Sequence, residues 1–129
     1  MSTDSTSASK LDWRLELVQV PVADIDRAKA FYIRAGFVAE HDHKVSDDLR
    51  FVQLTPPGSA CSISLTSGAH QMAPGSLEGL QLVVADIEAA REELLARDVE
   101  VSEVQDFPWG RFVFFADPDG NRWAVQQIG

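Results

Sequence analysis

Residues 112–127 read FVFFADPDGNRWAVQQ, and this stretch decides the fold. An aromatic run and a Trp-Ala-Val run have the bias of paired strands, and Asp117-Pro118-Asp119-Gly120-Asn121 between them forms a tight reversal. Gly120 supplies the positive φ such a turn needs, and Pro118 presets its entry. Upstream, residues 50–65, RFVQLTPPGSACSISL, repeat the order of strand, Pro-x-Gly turn and strand. Gly120 lies 62 positions after Gly58.

The same spacing of 62 relates Gln19 to Gln81, Val22 to Val84, Ala23-Asp24 to Ala85-Asp86, Ala28 to Ala90 and Ile63 to Val125. One ungapped offset shared by strand, helix start, helix and turn indicates duplication of a supersecondary unit. Working outward, 15–22 reads as a strand, and Asp24 opens a helix to about Ala35 with Gly36 as its C-terminal cap. Strands follow near 37–44, 49–55 and 60–66. The second half repeats this with a strand at 79–84, a helix opened by Asp86 and running through Arg97, a strand at 99–104 and the two strands about the turn. The chain is therefore expected to be α+β, two tandem βαβββ modules (about 15–66 and 79–128) that together form a curved mixed sheet around a concave cavity. A Gly, Ser, Ala and Pro-rich connector, 67–78, joins them within one domain, 11–129. Residues 1–10 are expected to be a disordered tail.

Composition narrows the function classes. A chain of 129 residues with 45% hydrophobic and 24% charged residues suits one soluble domain with one core. Its net charge of -9 opposes nucleic-acid backbones and anionic membranes. A single cysteine excludes an internal disulfide and a cysteine-built zinc site within one chain. No apolar run reaches the roughly 18 residues of a membrane helix, and MSTDSTSASK has no apolar core of a signal peptide. A cytoplasmic protein is expected.

Strand periodicity assigns the faces. Val18, Val20 and Val22 are expected to face a helix, as are Leu80, Leu82 and Val84 in the second half. Cys61, Ile63, Leu65, Trp123 and Val125 join them. The concave face then receives Leu15, Leu17, Gln19, Gln81, Ser62, Ser64, Ala124 and Gln126, a polar but almost uncharged set. His41 and His43 share one side of a strand, the spacing of a two-histidine metal or acid/base pair, but that side continues Phe37 and Ala39 and is expected to face the helix. His70 falls in the connector. Cys61 reads as a small buried hydrophobe. Trp109 stands ahead of an inward strand, as a ligand cover or a dimer contact. Asp117 and Asp119 read as turn-forming, and Asp24 and Asp86 as helix-start residues.

The run VPVADIDRAKAFYIRAGF, two βαβββ halves and the late FADPDGNRWAVQQ resemble the vicinal oxygen chelate superfamily, which includes glyoxalase I, bleomycin-resistance proteins, methylmalonyl-CoA epimerase and extradiol dioxygenases. The resemblance covers nearly all of 15–128. It implies a divalent metal held by His, Glu or Gln from the first and last strands of each half. Carried over, those positions fall at Leu17, Ser62, Gly79 and Ala124, and Leu, Gly and Ala carry no donor. Gln19 and Gln81 lie one strand period away.

The expectation is therefore a metal-independent protein without cofactor that binds a small organic ligand, as the bleomycin-resistance proteins do, and sequesters an antibiotic or toxic metabolite. Gln19, Gln81, Ser62, Ser64 and Gln126 would orient a polar ligand, Trp109, Phe112 and Phe114 would stack on it, and Arg50 would neutralise an anion. Two alternatives stay open: a metal-free isomerase or lyase using a His or Asp base on a carbonyl substrate, and a metal-dependent lyase or dioxygenase whose ligands lie elsewhere. The resemblance also implies a homodimer.

Overall fold

The structure, a computed structural model, describes residues 10–66 and 72–128. Residues 1–9 of the expected tail, 67–71 of the expected connector and with them His70 lie outside the described residues. The first half contains β1 (Leu17–Gln19), α1 (Ile25–Ala35), β2 (Val38–Lys44), β3 (Arg50–Thr55) and β4 (Ser62–Thr66). The second contains β5 (Leu80–Val84), α2 (Ile87–Ala96), β6 (Gln105–Phe107), β7 (Gly110–Ala116) and β8 (Arg122–Gln127). The strands form two four-stranded mixed sheets, ordered β1-β4-β3-β2 and β5-β8-β7-β6. In each, the first strand runs parallel to the last and the remaining pairs are antiparallel. Two tandem βαβββ modules are thus present. No helix among the described residues is long and apolar enough to cross a membrane.

Local chemistry explains both helix starts. Asp24 accepts from the Arg27 amide, and Asp86 accepts from the Glu88 and Ala89 amides, satisfying donors that have no partner inside the helix. Gly36, at φ 112°, ends α1 in the left-handed conformation that costs glycine little. The observed β1 is shorter than the expected 15–22, and past it Pro21 O accepts from the Gly75 amide at 3.0 Å.

Two further differences from the sequence reading concern register. Gln19 lies opposite Ser64, whereas Gln81 lies opposite Ala124. The spacing of 62 therefore slips by two residues between the parallel ladders. A slip of two keeps every side chain on its own face, so the facing assignments survive it. The strand expected at 99–104 is not one, and the ladder begins at Gln105. Segment 99–104 still runs beside β7, but Ser102 replaces a regular pairing: its amide donates to Phe114 O at 2.9 Å, and its hydroxyl accepts from the Phe114 amide at 2.9 Å.

The helix-facing rows of both sheets share one core, which includes Val20, Val22, Ile63, Leu65, Trp123 and Val125. Helix α1 reaches across the halves. The Phe31 ring lies 6.3 Å from Phe115, and the Tyr32 ring 5.8 Å from Trp123. Beneath them, Asp117 Oδ1 accepts the amides of Asp119, Gly120 and Asn121, each at 3.0 Å, as the turn chemistry requires. Its Oδ2 accepts Tyr32 Oη at 2.7 Å and Asn121 Nδ2 at 2.8 Å. Trp123 Nε1 donates to Tyr32 Oη at 3.0 Å, and Asn121 Nδ2 also donates to Pro21 O at 2.8 Å. The turn thereby ties the second hairpin to the first half.

Burial, and after it the neighbouring Asp117 carboxylate, pushes the Tyr32 phenol well above its ordinary value near 10. A raised folded value means that stability is intact below the unfolded value and falls as pH rises beyond it. Tyr32 is the only tyrosine, so phenolate absorbance reports it alone. We expect no phenolate signal at pH of about 10, where a free tyrosine is half ionised, and its appearance at higher pH only together with unfolding followed by circular dichroism. Ionisation at an ordinary value without unfolding would contradict the network.

Candidate functional site

The open face of the second sheet is built from alternate residues of its four strands. Phe112 stands opposite Gln126, and Phe114 and Gln81 flank Ala124 from either side. The tight β6–β7 hairpin adds Phe107 and Trp109. Phe107 and Trp109 stack at 5.4 Å and 13°, Phe112 and Phe114 at 5.8 Å and 3°, and Phe107 meets Phe112 edge-on at 5.5 Å. These residues with Gln81, Ala124 and Gln126 line a cavity of about 390 Å³. A larger trough of about 810 Å³ continues from Phe114 and Ala124 toward Glu78, Glu100, Ser102 and Arg122.

The two glutamines play different parts. Gln81 Nε2 donates to Gln126 Oε1, and Gln126 Nε2 donates to Trp109 O at 2.9 Å. With only 7% of its surface exposed, Gln126 has both ends of its amide engaged and braces the Trp109 turn. Gln81 is exposed and keeps amide capacity for a ligand. Gly110, at φ 149°, permits this closeness: a Cβ there would lie 2.8 Å from Gln126 Nε2 and 2.9 Å from Gln127 O.

The open face of the first sheet is different. Gln19, Ser64 and Gln53 form one row across β1, β4 and β3. Ser62 and Ser64, expected to contact a ligand, are buried at 5% and 0% exposure. Ser62 Oγ shares a 2.6 Å hydrogen bond with Thr55 Oγ1 and accepts from Gln53 Nε2 at 3.3 Å. These short side chains are the floor of the face, beneath longer neighbours, and only Gln19 of the row is exposed.

Arg50, expected to reach a ligand anion, points the other way. Its guanidinium pairs with Asp42 through Nε at 3.0 Å and Nη2 at 2.8 Å, and with Asp26 of α1 through Nη1 at 2.7 Å. Lys29 Nζ joins Asp42 at 2.7 Å. The ladder decides this, because Arg50 and Val52 share a face and Val52 is in the core. Hydrogen bonds from Arg50 and then Lys29 hold the Asp42 carboxyl below the ordinary carboxylate range. A depressed folded value gives stability that is present above about pH 3.9 and lost as pH falls below it. Arg50→Ala is expected to cost about 1–2 kcal/mol at pH 7 and somewhat less near pH 2, where the loss of this stability is still incomplete. Urea unfolding at both pH values checks it.

The histidine pair is also corrected. Ala39 lies opposite Leu54, but His41 lies opposite Gln53, so a β-bulge at Glu40 inserts one residue. The bulge turns His41 and His43 away from the side of Ala39 and onto the open face with Gln53 and Phe51. Their rings stack at 5.8 Å and 19°. Glu40 Oε1 accepts from Thr55 Oγ1 at 2.8 Å on the same face. Cys61 is half-buried and outside the core cluster rather than within it.

A concave aromatic face carried by paired βαβββ modules corresponds to a known class of protein. Residues 14–125 match the family model of the Glyoxalase/Bleomycin resistance protein/Dioxygenase superfamily, and the chain belongs to that family. Among solved structures, TnmS3, an antibiotic binding protein from Streptomyces sp. CB03234, is 35% identical with a TM-score of 0.83, covering 95% of this chain and 100% of its own. A glyoxalase/bleomycin resistance protein from the same organism is 37% identical with a TM-score of 0.76, covering 88% and 100%. The uncharacterized protein YetH of Bacillus subtilis (strain 168) is 29% identical over 117 residues, 85% of this chain and 94% of YetH.

The metal that enzymes of the superfamily hold does not fit the residues present. Leu17, Ser62, Gly79 and Ala124 stand at the carried-over positions, and Leu17 faces Ser62 directly across the ladder. Among the described residues, no three His, Cys, Asp or Glu side chains are grouped to hold an ion.

Proposed function

We propose that the chain is a metal-independent small-molecule binding protein that sequesters an aromatic antibiotic or toxic metabolite, acting in the cytoplasm as a homodimer. The observation that carries this reading is the second-sheet face, where four aromatic rings surround an amide that lacks charge. Such a surface holds a flat, uncharged ring system by stacking and fixes its orientation with one or two hydrogen bonds. The likeness to TnmS3, described as an antibiotic binding protein, supports the same class of ligand here. The donor-poor positions Leu17, Gly79 and Ala124 support independence from metal.

The test uses protein prepared with and without chelator and a panel of planar polycyclic natural products, followed by native mass spectrometry and calorimetry. One ligand per chain, unchanged on recovery and insensitive to chelator, is expected. Turnover, or binding that needs an added metal, would overturn the reading. A second reading, a metal-free isomerase or lyase, draws on the bulge that brings His41 and His43 to the open face. Turnover that survives chelator and disappears in His41→Gln or His43→Gln would favour it.

A further inference from the structure

We infer that His41 and His43 chelate a late first-row divalent transition ion, with the Gln53 amide oxygen as a third ligand. The site belongs to strand β2 at the outer edge of the first sheet, whereas the positions carried over from the superfamily fall on or beside β1, β4, β5 and β8. Residues two apart on a strand share a face, and the bulge at Glu40 makes that face the open one. All of β2 is exposed, so water and ions reach both rings.

The ring geometry suits chelation. The imidazole centroids lie 5.8 Å apart with an interplanar angle of 19°. Zinc-like ions bond an imidazole nitrogen at about 2.0–2.1 Å, which puts the ion roughly 3.2 Å from each centroid and two tetrahedrally placed imidazoles roughly 5.2 Å apart. A small side-chain rotation therefore closes the pair on an ion. Neither imidazole donates to or accepts from another described residue, so a nitrogen of each is available.

The surroundings favour a cation. Gln53 stands directly opposite His41 in the ladder and is half-buried. Its amide nitrogen donates to Ser62 Oγ at 3.3 Å, which leaves Oε1 for the ion. Glu40 lies on the same face, where its Oε1 accepts from Thr55, and its charge offsets that of a bound cation. The neighbouring cations Lys29 and Arg50 are held by Asp42 on the other face. Calcium and magnesium prefer sets of oxygen ligands, whereas imidazole suits zinc, nickel and copper, with Cu(II) the tightest. Two imidazoles and one amide leave the remaining positions to water, so the ion is exchangeable. None of the three ligands lines the cavity around Trp109 or the trough beyond it. The ion site and the ligand reading above therefore stand or fall separately.

Calorimetric titration of the chelator-stripped full chain with copper(II), nickel(II) and zinc(II) chlorides tests this, with circular dichroism reporting the fold of each variant. One ion per chain is expected, bound most tightly for copper. His41→Gln and His43→Gln should each weaken binding about 100-fold, and Gln53→Leu about tenfold. His70→Gln removes the third histidine of the chain and should leave affinity unchanged. Electron paramagnetic resonance of the copper-loaded parent should show two coordinated nitrogens, a readout that needs no variant to fold. No binding by the parent at roughly 1 mM ion, or a spectrum with one nitrogen, overturns the chelate. Binding that survives in His41→Gln/His43→Gln, or that is lost in His70→Gln, puts the ion elsewhere and overturns it as well. Unchanged affinity in Gln53→Leu overturns the amide as third ligand.

Discussion

Replacing Asp117 with alanine is expected to lower the free energy of unfolding by about 3–5 kcal/mol and the melting temperature by roughly 10–20 °C. The carboxylate is 4% exposed and accepts five hydrogen bonds. Three come from turn amides and two from Tyr32 and Asn121. Alanine would leave these buried donors facing an apolar methyl group. The loss would also reach the first half, since Tyr32 belongs to α1 and Asn121 donates to Pro21 O. Asp117→Asn is expected to cost nearly as much, because whichever oxygen becomes an amino group meets a donor. Tyr32→Phe removes two bonds, the one donated to Asp117 and the one accepted from Trp123 Nε1, and should cost about 2–3 kcal/mol. Urea denaturation of the three variants checks the order. An alanine variant within about 1 kcal/mol of the parent would show the turn to be held by its backbone alone.

The repeat was legible because its punctuation is chemically forced. Asp24 and Asp86 satisfy helix-start amides, Gly36 adopts a left-handed φ, and Gly120 with φ 104° closes the turn. The second-sheet face was equally readable. Strand parity alone brings Gln81, Phe112, Phe114 and Gln126 to one side, and Pro108-Trp109-Gly110 marks a short hairpin loop. The first-sheet face resisted because a single extra residue reverses it. Nothing at Glu40 signals a bulge, for no glycine or proline stands there, and every assignment after it on β2 inverts. Arg50 failed for a related reason. Its side of the sheet follows from the face it shares with Val52 in the ladder to β2. A sequence clue did exist: Asp26, Lys29, Asp42 and Arg50 are opposite charges that a helix packed on a sheet can bring together. The strand expected at 99–104 has the right composition, but Ser102 supplies a hydroxyl where a backbone acceptor would extend the pairing.

Trp109→Ala should weaken binding of a planar aromatic ligand about 10–100-fold while changing stability by about 0.5 kcal/mol or less. The two effects separate because the indole is 65% exposed and stacks only on Phe107 among the rings of the face. Phe112 could not serve as the probe. At 6% exposure it is structural as well as cavity-lining, and its removal would cost about 3–5 kcal/mol. Gln81→Leu keeps the volume near Ala124 but removes the free amide and the bond to Gln126, so it should cost about tenfold for a ligand with a carbonyl or hydroxyl and little for a bare hydrocarbon ring system. That contrast distinguishes recognition from simple partitioning into an apolar cleft. Gly110→Ala provides an independent route to the same geometry, since the added methyl must displace Gln126 or open the hairpin, moving Trp109 without altering it. Calorimetric titration of all three variants with one polycyclic quinone and one polycyclic hydrocarbon makes the comparison. If Trp109→Ala binds both compounds as the parent does, the ligand lies further along the trough, toward Glu100 and Arg122.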